Sequence, residues 1–389
     1  MLDAFRAALD ERRDHDLHRR LDTVHGIDFV TNDTLGLSRH PMVVEGVRRR
    51  LAGGGSVGAP ASRLLAGHTE AHAGLEARLA AWKGTEAALL LPSGWQANMA
   101  LLGAVLGPGD RAISDALNHA SLIDGLRASR CRKEIVAHRD VEAIVRALRS
   151  PRWTGRGSGR TVLVTESLYS MDGTIAPLDV YAELCAEVGA SLVVDDAHAT
   201  GLWGTRGSGL VEHFDVSEQV LAITSTGGKA LGVGGAWIAG SQVLVDYLIN
   251  VARPFIFSTA VPLVTVHALD AALDVVEAEP ERRRRVHALA DRLRDRLGMH
   301  GEGPIVPVLI GGAAEALAAA AALREQGFDI RAVRPPTVAD GSSRLRVSIH
   351  ADHDVATIDR LARALKPLTG ARSSGATPVE EPAAVEVLA

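Results

Sequence analysis

Four short segments of this 389-residue chain set reactive side chains just after apolar, strand-like runs. Asp195-Asp196-Ala197-His198 follows Leu192-Val193-Val194. A carboxylate at the end of a buried strand meets a low dielectric and must find a partner. Three readings stand open: helix-capping acids with a structural histidine, a metal site, or a carboxylate that holds a cationic ring nitrogen. The last follows because a neighbouring anion favours the protonated ring. No further cluster with metal-ligand spacing accompanies the segment. Thr224-Ser225-Thr226-Gly227-Gly228-Lys229 follows another strand. A lysine in a loop of small residues at the ligand-bearing edge of a sheet is a candidate imine former, although a merely solvated lysine reads the same. Ser93-Gly94-Trp95 precedes a helix that begins near Gln96. Its free backbone N–H groups suit a phosphate, or Ser93 is a plain N-cap. His119, in Asn118-His119-Ala120-Ser121, can stack on a flat ring or cap a helix. In chain order these give a phosphate seat, a stacking ring, a carboxylate and a lysine. A planar pyridinium phosphate cofactor held as a lysine imine needs that set.

The elements that must position them follow from the hydrophobic pattern. Short apolar runs recur at 88–91, 111–114, 135–137, 161–165, 191–194, 220–224 and 236–239, most of them separated by helix-like segments. Alternating strand and helix implies an α/β fold, a mostly parallel sheet of seven strands with helices on both faces. Ligands then sit at the carboxyl ends of the strands. Only about a dozen residues separate the last two runs, near the minimum for a crossover, so the final strand is expected to run antiparallel. Residues 2–20 read as an exposed helix with Leu2, Phe5 and Leu9 on one face. Beyond Glu281 the pattern changes to helix 282–297, strand 305–310, helix 313–326, strands 328–333 and 345–349, and a helix from 355, a smaller α+β unit. The expected divisions are 1–45 (N-terminal helix and extended segment), 46–280 (large domain), 281–370 (small domain) and 371–389, a Ser-, Pro-, Glu- and Ala-rich tail expected to be disordered.

Composition narrows the function. Lys and Arg number 42 against 47 Asp and Glu, a net charge of −5, which excludes a bulk basic surface for nucleic acid. Two cysteines cannot build a disulfide framework, so a reducing, cytoplasmic setting is expected. No apolar h-region follows Met1, and no run reaches the ~18 residues of a membrane helix. Gly53-Gly54-Gly55-Ser56-Val57-Gly58 fits G-x-G-x-x-G but follows a helix-like segment, so a connecting or substrate-facing loop is expected rather than a dinucleotide site. Lys229 lacks the spacing of a P-loop, and no G-x-S-x-G elbow occurs. The run Arg282–Arg285 sits among Glu277, Glu279 and Glu281 and reads as a solvated helix face.

With these segments in view, the chain resembles the α-oxoamine synthases, fold type I enzymes that use pyridoxal 5′-phosphate. The resemblance spans about residues 5 to 368. It rests on the joint, ordered occurrence of Asn32-Asp33-Thr34-Leu35-Gly36-Leu37, Ser62-Arg63-Leu64-Leu65-Ala66-Gly67 with His72 and Leu75-Glu76, and Ser93-Gly94-Trp95-Gln96-Ala97-Asn98. Asn118-His119-Ala120-Ser121, Thr165-Glu166-Ser167-Leu168-Tyr169-Ser170-Met171-Asp172-Gly173, Asp195-Asp196-Ala197-His198, Thr226-Gly227-Gly228-Lys229, Phe257-Ser258-Thr259-Ala260 and Arg344-Leu345-Arg346 complete it. The resemblance implies that Lys229 forms the imine and then moves the Cα proton. It implies that Asp195 pairs with the ring nitrogen, that His198, with Ser170 nearby, contacts the phenolic oxygen, and that His119 stacks on the ring. Ser93, Gly94, Trp95 and Thr226 would hold the phosphate, and Ser258 and Thr259 would reach that of a partner subunit, so a homodimer is expected. Arg346, rather than Arg344 on the same strand face, would clamp the amino-acid carboxylate. Asn32, Arg19 and Thr337 would touch the substrates. The implied reaction joins L-alanine to a pimeloyl thioester on an acyl carrier protein or coenzyme A. Alternatives are a sister synthase joining glycine to acetyl-coenzyme A, a less favoured aminotransferase, and a cofactor-free relative. Two departures from the family pattern, Thr34 in place of Tyr and Gly58-Ala59-Pro60-Ala61 in place of a Gly-Ser-Gly-Gly stretch, bear on the acyl substrate.

Overall fold

The computed structural model describes residues 1–150 and 159–369, so the expectation for the 371–389 tail lies outside the described residues. The chain forms two compact units. The larger comprises 32–170 and 174–284. Its seven strands are β1 (Ala87–Leu91), β2 (Arg111–Asp115), β3 (Arg132–Val136), β4 (Thr161–Glu166), β5 (Ser191–Asp195), β6 (Val220–Thr226) and β7 (Ala236–Gly240). They lie in the order β1-β7-β6-β5-β4-β2-β3. The pairs from β3 across to β6 are all parallel. β7 runs antiparallel to both β6 and β1, as the short connection before it requires. Helices cover both faces of the sheet, so β1, β2, β4 and β7 are buried along their whole length and read as continuous rather than alternating apolar runs. The edge strand β3 differs: Arg132, Lys133 and Glu134 leave it half exposed and charged, which blunts pairing with another chain.

The parallel order puts the carboxyl ends of β2, β4, β5 and β6 at one edge, and the register sets Glu166 beside Asp195 and Asp195 beside Thr224. Two helices close over this edge. Gly94–Val105 is capped by the Ser93 side chain, which accepts from the Gln96 N–H at 3.2 Å. Ala120–Ser129 is capped by His119, whose ring accepts from the Ser121 N–H. A Cβ at Gly125 would lie 3.1 Å from the Asn98 carbonyl and from Leu102, so glycine lets the two helices approach closely. Leu89, Leu101, Leu122, Val164 and Ile238 belong to the core beneath them.

The smaller unit comprises residues 1–31, 171–173 and 285 onward. Its sheet has the order β9-β10-β8, antiparallel throughout, from β8 (Ile305–Gly311), β9 (Arg331–Val333) and β10 (Ser343–Ser348). Its helices Ala313–Glu325 and Val355–Thr369 and the end of Pro280–Leu297 bury Leu289, Leu293, Leu323, Ile358 and Leu361 against Val306 and Leu345. The expected strand 328–333 splits at Ile330, because Phe328–Asp329 pairs with Ile27–Asp28 while Arg331–Val333 pairs with β10. That first pairing ties the N-terminal segment to the C-terminal residues. The first helix spans Leu2–Asp14 rather than 2–20 and ends before Asp16, whose φ is 56°.

Candidate active site

Asp195 ends β5, is 7% exposed, and accepts two hydrogen bonds. Oδ2 lies 2.7 Å from the side-chain nitrogen of Asn98, and Oδ1 lies 3.0 Å from the Ala197 N–H. Its neighbour Asp196 points the other way. It pairs with Lys83 at 2.8 Å, both side chains 1% exposed, and accepts from Ser167 Oγ and the Leu210 N–H. The two aspartates thus divide the roles left open by the sequence: Asp196 is the structural anchor, and Asp195 faces the edge where the other candidates gather. Burial pulls the Lys83 pKa down, and Asp196 opposes that shift.

His119 Nδ1 lies 2.8 Å from Ser121 Oγ, and Trp95 meets the ring edge-on with centroids 6.0 Å apart. Capping and ring stacking are therefore compatible roles, because the cap uses only Nδ1. Burial lowers the His119 pKa; Asp195 opposes this and Lys229 adds to it. The same two charges act on Glu166, at the end of β4 and 3% exposed. Its carboxyl is pushed well above the usual range by burial first and by Asp195 second, with Lys229 opposing. One Glu166 oxygen is buried with no hydrogen-bond partner among the described residues. Lys229, Asp195, His119 and Glu166 thus form one electrostatic cluster.

The proposed phosphate seat adjoins it. A Cβ at Gly94 would lie 3.8 Å from Thr226 Cβ, which brings the helix N-terminus beside the end of β6. Thr226 Oγ1 donates to the Gly235 carbonyl at 2.9 Å and accepts from the Gly228 N–H, so it also shapes the loop that carries Lys229. Gln96 donates to Ser258 Oγ at 2.8 Å, which sets Ser258 next to that helix start. Thr259 bridges to Ser62, and the Ala260 N–H bonds to the Ala61 carbonyl, so the end of the departing segment 58–61 lies beside Thr259 and Ala260. Gly53–Gly58 is a connection after helix Pro41–Ala52. His198 is half-buried three residues beyond Asp195, and Ser170 is half-buried beyond β4. Asn32 is half-buried, and its carbonyl accepts from the Thr34 N–H. Thr34, at the family's Tyr position, is buried, and its hydroxyl has no hydrogen-bond partner among the described residues.

In the smaller unit, Arg19 donates to the Pro335 carbonyl at 3.2 Å and meets Thr337 Oγ1 at 3.4 Å, so two of the expected substrate-binding residues are neighbours. Arg344 is committed to an ion pair with Asp172. Arg346 is buried on β10, donates to Ser348 Oγ at 2.8 Å, and has its pKa pulled down to about 10 by burial. Of the arginine run, Arg282 bonds Glu279 and the Leu35 carbonyl, Arg283 the Val276 and Thr205 carbonyls, and Arg285 the Ala351 and His353 carbonyls. Arg284 and Arg285 are exposed, as the solvated-face reading expects, whereas Arg283 is buried and Arg282 half-buried, so that reading holds for part of the run.

Asn98, Ser121, Glu166 and Lys83 join the site without having been singled out by residue type or spacing. Asn98, Ser121 and Glu166 lie inside the family-like segments, where the available signal is a polar residue at a helix start or strand end. Among the described residues no His, Cys, Asp and Glu cluster could hold a metal ion, and no helix is long and apolar enough to cross a membrane.

This geometry, a lysine, a buried carboxylate and a capping histidine at the strand ends of a doubly covered sheet, has known counterparts. A family model described as aminotransferase class I and II matches residues 24–365. The chain belongs to that family and, within it, to the α-oxoamine synthases. Its curated relatives include 8-amino-7-oxononanoate synthases. That of Anaeromyxobacter dehalogenans (strain 2CP-1) is 45% identical over 365 residues, 90% of this chain and 89% of the relative. Those of Bordetella petrii and Geobacter sulfurreducens are 43% and 41% identical, covering 90% and 92% of this chain and 90% and 95% of theirs. Similar solved structures include a serine palmitoyltransferase from S. paucimobilis with bound PLP and myriocin, at TM-score 0.85 and 25% identity over 94% of this chain and 96% of that one. The serine palmitoyltransferase of Sphingomonas wittichii superposes at TM-score 0.82 with 28% identity, covering 88% of this chain and 87% of that one.

Proposed function

We propose that this chain is a pyridoxal-phosphate enzyme of biotin synthesis. It joins L-alanine to a pimeloyl thioester, on an acyl carrier protein or coenzyme A, to give 8-amino-7-oxononanoate, carbon dioxide and the free thiol. The observation that carries the chemistry is the cluster of Lys229, Asp195 and His119 at the strand ends, joined to a helix N-terminus and Thr226. The choice of alanine and the pimeloyl chain rests on the curated relatives. The donor set fits the cofactor. The Gly94–Val105 helix start suits a phosphate dianion, and the Asp195 carboxylate suits a protonated ring nitrogen.

When bound, pyridoxal phosphate supplies an electron sink for the charge that develops on the amino acid's Cα. Lys229 would anchor it and then take the Cα proton. Asp195 would keep the ring nitrogen charged, His119 would pack on the ring, and His198 with Ser170 would contact its phenolic oxygen. Ser93, Gly94, Trp95 and Thr226 would hold the phosphate. Arg346 binds the carboxylate of the amino acid; Asn32, Arg19 and Thr337 contact the substrates. The Cα then forms a bond to the acyl carbonyl carbon, the carbon–sulfur bond breaks, and the thiol leaves. The carboxylate departs as carbon dioxide, and a proton returns to Cα. Ser258 and Thr259 act across a homodimer interface.

Purified protein given pyridoxal phosphate, L-alanine and pimeloyl-coenzyme A tests this reading. The expected result is one thiol and one carbon dioxide released per 8-amino-7-oxononanoate. Turnover with glycine and acetyl-coenzyme A but not with this pair would assign the chain to a sister synthase. Product without thioester consumption would overturn the condensation.

A further inference from the structure

Asn98 is 1% exposed in the helix Gly94–Val105, and its side-chain nitrogen has two close oxygens: Asp195 Oδ2 at 2.7 Å and Ser121 Oγ at 2.8 Å. An amide NH2 has two hydrogens, and both are used. The reverse amide orientation would press Oδ1 against a carboxylate oxygen, so the arrangement is fixed by charge. Its consequence is visible: Asn98 Oδ1 is buried without a hydrogen-bond partner among the described residues. An unpaired buried acceptor is destabilising and rare, and it marks a site where the other bonds are retained for another reason.

Ser121 passes the direction on. Its Oγ accepts from Asn98, which leaves its own proton for His119 Nδ1 at 2.8 Å. The Ser121 backbone N–H points at the same nitrogen from 3.2 Å. Two donors converge on Nδ1, so the ring proton belongs on Nε2. We propose that Asn98 is a positioning residue that, through Ser121, sets the Nε2–H tautomer of His119 while it orients Asp195, so that one amide aligns two of the groups that flank the cofactor ring. The lowered pKa of His119 agrees with a ring kept neutral. The inference deepens the cofactor-site reading and rests on it for its catalytic meaning.

The relay is tested on the apoenzyme by nitrogen-15 NMR of the histidine rings, with His119 assigned from the signal lost in His119→Asn. Wild-type His119 is expected to be protonated on Nε2 alone. In Asn98→Leu, Ser121 Oγ is freed to accept, so a mixture of tautomers is expected, together with cofactor affinity weakened by about tenfold from the lost bond to Asp195. Ser121→Ala removes the 2.8 Å hydroxyl donor and leaves only the longer backbone N–H at Nδ1, so a measurable fraction of Nδ1–H tautomer is expected while cofactor affinity stays within about twofold. A wild-type ring protonated on Nδ1 would overturn the proposal by itself. So would unchanged tautomer and affinity in Asn98→Leu, or an unchanged tautomer in Ser121→Ala should Asn98→Leu not fold. A merely structural role would lower the melting temperature and leave both readouts in place. Failure of wild-type protein to bind pyridoxal phosphate would contradict the proposed function while the tautomer result still stood.

Discussion

At the scale of single residues, Lys229 and Asp195 have separable tasks in the proposed reaction. Lys229→Ala removes the amine that moves the Cα proton, and turnover without added amine is expected to disappear. Asp195→Asn keeps the shape and removes the charge. Groups that stabilise developing charge are typically worth about 10²–10³ in rate, so solvent exchange of the alanine Cα proton should slow by about that factor in Asp195→Asn. Near-wild-type exchange in that variant would contradict its role. His353, in the smaller unit, has no part in the proposed reaction. Its Nε2 bonds the Asp28 carbonyl, its Nδ1 accepts from the His350 N–H, and it stacks on His350 with ring centroids 4.9 Å apart. Both nitrogens are used by the neutral ring, and burial, with help from His350, lowers its pKa to about 4. The unfolded chain therefore takes up the proton first. Stability from this group is present above about pH 6.5 and is lost as the pH falls towards 4, by roughly 3 kcal/mol in all. Hydrogen exchange of β8–β10 amides should show protection falling between pH 7 and pH 5, and His353→Phe should flatten that dependence.

At the scale of elements, the Asp195-Asp196 turn is held from below. Lys83, at the end of helix Glu70–Lys83, bonds Asp196, Thr200 Oγ1 and the Ser208 carbonyl. Removing one partner of a buried ion pair strands the other charge, and Lys83→Met is expected to cost about 3–5 kcal/mol of stability. A urea midpoint read by tryptophan fluorescence measures it, and a loss below about 1 kcal/mol would mean the pair is not the anchor described. Gly209 faces the same carboxylate with φ 138°, and an added Cβ would come within 1.8 Å of Asp196 Oδ2. Gly209→Ala should therefore weaken cofactor binding by displacing the turn, and unchanged affinity by fluorescence titration would show that the turn can yield. The elements were legible in the sequence, because covered parallel strands write themselves as apolar runs, and the residues just after each run lie at the binding edge by topology. What was not legible is what folding brings together from afar. Asn98 and Asp195 are 97 residues apart and meet only where the start of the Gly94–Val105 helix lies over the end of β5, and close packing at Gly125 brings Ser121 to the same amide. Neighbouring Arg344 and Arg346 look alike on β10 until Asp172, 172 residues away from Arg344, engages it. Arg283 looks as solvated in the sequence as its exposed neighbours Arg284 and Arg285, because the backbone carbonyls it bonds carry no side-chain signal.

At the scale of the whole molecule, the proposed homodimer makes a sharp demand on Ser258 and Thr259. If these residues serve the partner's phosphate, Lys229→Ala and Ser258→Ala/Thr259→Ala chains co-refolded together contain hybrids with one intact site. Random pairing then restores up to roughly a quarter of wild-type activity, above the sum of the parents. Activity equal to that sum would place both residues in their own subunit's site. The central claim, that this chain condenses L-alanine with a pimeloyl thioester on pyridoxal phosphate, has its most direct test in one optical titration. Purified protein is loaded with pyridoxal phosphate, titrated with L-alanine and then glycine, and given pimeloyl-coenzyme A. The expected result is a lysine-bound absorbance band that shifts with alanine and a longer-wavelength band that appears on thioester addition. A response to glycine alone, or no lysine-bound band at all, would contradict the claim.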